Sequence, residues 1–69
     1  RNQTCMKNQR RNCIKQLREA QGLRQLDLAR RLDIYQSEVS AIERGEREPG
    51  IRLAKRFARM LGRPVEEVF

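Results

Sequence analysis

Residues 25–44, QLDLARRLDIYQSEVSAIER, decide the fold. Leu28, Ala29 and Leu32 fall at i, i+1 and i+4, the spacing of one helix face. Val39 and Ile42 follow at i, i+3 in a second segment, with Ile34 between the two. The pattern predicts two short helices joined by a tight turn, with apolar residues fixing them to each other and to a third helix. Ala29 is the small residue where the second helix crosses the first. Asp33 stands where the turn needs a left-handed backbone; Gly is easiest there, and Asp is among the few alternatives at modest cost. Ile34 is the one apolar residue the turn must bury. The outer face of the second helix keeps Gln36, Ser37, Ser40 and Ala41, all uncharged and short or amide-bearing.

The flanks extend the helical pattern. A first helix is expected from about Gln9 or Asn12 to Gln21, with Ile14, Leu17 and Ala20 as its buried stripe and Arg18 beside it. Gly22 stops it, and Leu23 then enters the core. The pair at the centre spans 25–32 and 36–44. Residues 45–50, GEREPG, form a turn. A fourth helix spans 51–61 with two apolar stripes, Ile51–Ala54–Ala58–Leu61 and Leu53–Phe57–Met60. Phe57 is assigned to the core; Leu53 and Met60 suit either the core or a contact with a second copy. Gly62 ends this helix, and Arg63-Pro64 opens a last helical turn at 65–69, where Val65, Val68 and Phe69 are apolar. Arg24, just before the second helix, cannot accept a capping hydrogen bond, so a contribution of about 1 kcal/mol is missing. Asp27 offsets part of it through the helix dipole.

Composition narrows the function classes. Sixty-nine residues make one domain with a limited core, for which dimerisation is a natural support. Charged residues are 36% and aromatics 4%, with few β-branched residues, which favours an all-α fold. The formal net charge of +7 fits a polyanion partner, with an anionic membrane surface, an acidic protein or a merely solubilising surface as the alternatives. No apolar run is long enough to span a bilayer, and no signal-peptide pattern is present. The chain has no His, so the usual general base at neutral pH is missing and no catalytic set is visible. Cys5 and Cys13 lack further ligands for a metal and are expected to be free thiols, an intersubunit disulfide being the other arrangement. No cofactor is expected. Residues 1–11, RNQTCMKNQRR, read as a basic arm, suited to phosphates or a minor groove or serving only as a basic tail. Met6 is a candidate natural start, in which case residues 1–5 are foreign.

Taken together, GLRQLDLARRL (22–32), YQSEVSAIERG (35–45) and EPGIRLAKRFARMLGRPVEEVF (48–69) make residues 12–69 resemble the phage-repressor helix-turn-helix domains, the lambda repressor, Cro and XRE family. The resemblance implies a compact five-helix lambda-repressor-like bundle and a transcriptional regulator, repressor in type, that inserts the helix at 36–44 into the major groove of double-stranded DNA. Gln36, Ser37, Ser40 and Ala41 would then read base edges. Gln25 would hold a phosphate and brace Gln36, with Arg24, Tyr35, Arg44 and Arg47 also at the DNA backbone. Glu43 would pair with Arg18 in a largely buried structural ion pair. Leu53, Met60, Arg63, Pro64 and Val65 mark the end of the domain where a homodimer would form, matched to a palindromic operator. A cytoplasmic, nucleoid-associated location goes with this function. Two departures stand out, because Arg24 and Tyr35 occupy cap positions where the family has Ser or Thr. Tyr35 can reach a phosphate or pack on the protein surface. Glu38 can accept from cytosine or, as its position favours, pair with a nearby Arg. The same fold also serves as a protein-interaction module in antitoxins and coactivators, for which Leu53, Phe57, Met60 and Leu26 would be the surface.

Overall fold

Five helices form along the chain: α1 (Ile14–Ala20), α2 (Gln25–Leu32), α3 (Gln36–Glu43), α4 (Ile51–Leu61) and α5 (Val65–Val68). This computed structural model describes residues 12–69, and no strand occurs among them. The basic arm at 1–11 and Cys5 lie outside the described residues. The architecture is an all-α bundle. α2 packs on α3, while α4 packs on α1, α2 and α5. Leu28, Leu32, Val39, Ile42, Phe57 and Leu61 are fully buried where these helices meet. Phe57 meets the ring of Phe69 edge to face, with centroids 5.9 Å apart and planes at 81°, a favoured aromatic geometry.

Four helix ends close in the same way. The residue in the left-handed region is Gly22, Asp33, Gly45 or Gly62. The next residue donates its N–H back to a carbonyl five positions earlier, as from Leu23 to Arg18 and from Ile34 to Ala29, both at 3.0 Å. Glu46 donates to Ala41 at 2.9 Å and Arg63 to Ala58 at 3.1 Å. These backbone bonds satisfy carbonyls that a helix end leaves open. Asp33 is the non-glycine case, at φ 59° and ψ 46°. It sets the angle at which α3 leaves α2, with Ala29 1% exposed beneath the crossing.

The structure departs from the sequence reading at four places. α1 begins at Ile14, later than expected, because Asn12 is drawn into a cap. Its Oδ1 accepts from the Ile14 N–H at 3.1 Å, and its Nδ2 donates to the Ile42 carbonyl at 2.8 Å, tying α1 to α3. Ala20 is exposed; at 100° per residue it falls about 120° away from the Ile14–Leu17–Arg18 stripe. Ile51, expected in the core, is 76% exposed, since the first position of α4 projects beyond the packed face. Cys13, expected as a free thiol, is disulfide-bonded and only 2% exposed, with its N–H bonded to the Val68 carbonyl. Composition speaks to redox compartment and not to which side chains the fold brings within bonding distance, so it misassigned this residue.

The turn at Asp33 yields a stability test. Asp33→Val should cost about 1–2 kcal/mol, because a β-branched residue resists φ > 0. Asp33→Gly should be neutral or slightly stabilising in urea unfolding. Equal losses from both substitutions would assign the requirement to the carboxylate instead of the backbone.

Candidate nucleic-acid interface

The outer face of α3 rests on a buried ion pair. Arg18 of α1 donates from Nε to Glu43 Oε2 at 2.7 Å and from Nη2 to Oε1 at 3.3 Å. Both side chains are under a tenth exposed. The remaining guanidinium direction is also used, with Nη1 donating to the Leu23 carbonyl at 2.9 Å. Such bidentate pairs are strong because two charge-assisted bonds act in one plane. The pair couples α1, the α1–α2 turn and the end of α3.

Glu43 extends the network outward. Its Oε1 accepts from Gln25 Nε2 at 3.0 Å, and Gln25 Oε1 accepts from Gln36 Nε2 at 3.5 Å. The polarity of this chain is set at its buried end. An ionised carboxylate only accepts, so Gln25 must present its amino group to Glu43 and its carbonyl to Gln36. Gln36 then spends one N–H inward. Its carbonyl oxygen and second N–H remain for an outside partner, an acceptor–donor pair of the kind that can engage a base edge. The sequence reading treated Glu43 as structural only. Its contact with Gln25 crosses eighteen positions of sequence and leaves no local signal.

Ser37 is exposed beside Gln36, and Ser40 and Ala41 are half-exposed one turn further on. The structure therefore brings all four proposed reading residues onto one accessible side of α3. Ser40 Oγ accepts from Arg44 Nη1. Tyr35, at the head of α3, is 79% exposed.

Each of the three arginines assigned to the DNA backbone has an internal carboxylate. Arg24 binds Asp27 with both arms of its fork at 3.0 Å, and Asp27 also accepts from the Arg24 backbone N–H at 2.9 Å. Asp27 thus supports the start of α2 by direct hydrogen bonds as well as through the dipole. The Arg24 guanidinium and N–H hold its carboxyl down at about 2. Arg44 binds Glu46 at 2.8 and 2.9 Å, holding that carboxyl below its ordinary range and raising its own pKa. Arg47 lies 3.6 Å from Glu38, so Glu38 pairs within the protein. At the other end, Leu53, Met60 and Val65 are only partly buried against the core. Pro64 is exposed, and Arg63 bonds Glu67 at 3.5 Å.

This geometry has a family. The helix-turn-helix family model matches residues 14–68, and the chain belongs to that family, in its XRE, lambda-repressor-like branch. An uncharacterised HTH-type transcriptional regulator of Methanocaldococcus jannaschii is 34% identical over 58 residues, covering 84% of this chain and 88% of that protein. Another, from Methanothermobacter thermautotrophicus, is 38% identical over 60 residues, covering 86% and 87%. Among solved structures, the restriction-modification controller protein C.AhdI of Aeromonas hydrophila superposes with a TM-score of 0.74 at 32% identity, covering 81% of this chain and 85% of that one. The family is one of transcription regulators and not of enzymes.

Two outcomes test the network. Glu43→Leu should cost about 3–5 kcal/mol in chemical denaturation, because it leaves Arg18 buried without a partner, and Arg18→Met combined with Glu43→Leu should recover much of that loss. For Asp27, the lowered folded-state pKa means its stabilisation is present above its ordinary value of 3.8 and is lost as pH falls toward about 2. A carboxyl 13C titration should give a midpoint near 2 for Asp27 in the wild type and an ordinary midpoint in Arg24→Ala; an unchanged midpoint in that variant would remove Arg24 as the cause.

Proposed function

We propose that this protein is a sequence-specific double-stranded DNA-binding regulator of repressor type, acting by insertion of α3 into the major groove. The observation that carries the reading is the outward orientation of Gln36, held through Gln25 and Glu43 to the buried Arg18. In this reading Gln36, Ser37, Ser40 and Ala41 meet base edges. Gln25, Arg24, Tyr35, Arg44 and Arg47 meet phosphates, which supply affinity but little sequence information. The arginines reach phosphate by exchanging one anionic partner for another. Docking therefore leaves Asp27, Glu46 and Glu38 to be hydrated, which moderates affinity for DNA in general.

A homodimer formed through Leu53, Met60, Arg63, Pro64 and Val65 would place two α3 helices about 34 Å apart, one turn of duplex, and would select a palindromic operator. The half-exposed apolar side chains at 53, 60 and 65 support that surface. The proposed place of action is the cytoplasmic nucleoid, where the operator is.

Random-duplex selection followed by fluorescence anisotropy tests the reading. Gln36→Ala should narrow the affinity gap between the selected site and its single-base variants. Arg47→Ala should weaken all duplexes alike and lower the salt slope by about 1. A uniform loss on every duplex from Gln36→Ala would remove the base-reading assignment. Binding indifferent to sequence in the wild type would turn the reading toward the protein-interaction module.

A further inference from the structure

α4 carries four cations, Arg52, Lys55, Arg56 and Arg59, and no acidic residue. All four are exposed. At 100° per residue they occupy an arc of about 100°, opposite the buried Phe57, Ala58 and Leu61. Elsewhere Arg24, Arg44, Arg47 and Arg63 each have a carboxylate partner. None of the four α4 cations forms an ion pair among the described residues. The arrangement works against the helix itself. Arg52 with Arg56, and Lys55 with Arg59, are like charges at i, i+4, a destabilising spacing. A merely solvated face would be more stable with mixed signs, so helix stability does not account for the stripe. A polyanion does.

We propose that this outer face of α4 is a second phosphate-binding surface for duplex DNA. It engages the backbone of the same duplex beyond the segment that α3 covers. The location on the duplex rests on the DNA-binding reading above; the anion chemistry does not. Arg52 follows Arg47 by five positions, so the stripe starts where the connection from α3 ends. From Arg52 to Arg59 is about 10 Å along the helix axis. That is roughly three phosphate steps at the 3.4 Å rise of one strand. The ends of the stripe can therefore hold separate phosphates while the HTH arginines hold others.

The test uses the full chain, its selected site on a minimal duplex, and the same site extended by about one helical turn of random sequence on each side. The wild type should bind the extended duplex at least tenfold more tightly at low salt. The variant R52Q/K55Q/R56Q/R59Q should lose that gain, with its salt slope reduced by about 2 to 3, near 0.9 for each phosphate released. Its ranking of operator variants on the minimal duplex should stay unchanged. The charge-keeping set R52K/R56K/R59K should retain both the gain and the slope, which separates loss of charge from loss of fold. Circular dichroism should show the glutamine variant at least as thermostable as the wild type. No gain from flanking DNA in the wild type, or equal salt slopes in wild type and glutamine variant, would overturn the proposal. So would capture of a second labelled duplex without a flank gain, since that places the stripe on separate DNA. Failure of the regulator reading looks different: sequence preference would be absent while the slope difference persisted.

Discussion

The Arg18–Glu43 pair is the interaction on which the rest of this small structure depends. It closes α1 against α3 with the α1–α2 turn included, inside a core that few residues fill. A buried pair of this kind is not a general source of stability, because burying two charges costs nearly what their attraction returns. Its value here is directional. A hydrophobic pair of equal volume would fill the space but would not tell Gln25 which end of its amide to turn inward. The same contact that fixes the helix positions therefore fixes the chemistry of the exposed face.

Charge is divided unequally over the molecule. The arginines around α3 are held by Asp27, Glu46 and Glu38, while those on α4 stand together without counter-charges among the described residues. Paired guanidiniums have their rotamers set before any partner arrives, so less side-chain freedom remains to be lost on docking. The unpaired stripe contributes long-range attraction that salt screens within about 8–10 Å. Recognition and capture thus fall on different helices.

Much of this was legible in the sequence, and the limits have physical causes. α2 and α4 have the bounds that apolar spacing gave, because strong periodicity between glycine or turn residues marks both ends. The left-handed turn was readable from Asp33 because few residue types tolerate that backbone. Ala20 and Ile51 were misplaced since one-dimensional spacing does not say where a helix stops having neighbours. The start of α1 was misread because Asn12 is capped through a contact with Ile42, thirty positions away. The pairing of Arg24 was missed for another reason. Arg at a cap position was judged by what it cannot accept, whereas its N–H and guanidinium both donate to Asp27. The resemblance to phage repressors supplied the Arg18–Glu43 and Gln25–Gln36 roles; spacing alone gave only a polar residue at each position.

The repeated backbone closures at Gly22, Asp33, Gly45 and Gly62 have one more consequence. Each turn is locked by main-chain atoms, so the direction in which the next helix departs owes little to the side chains that decorate the bend. The scaffold and the surface it displays are then separable under mutation. Residues such as Tyr35, Gln36 and Ser37 can drift from one descendant to the next, altering what is recognised, while the frame that carries them keeps its shape.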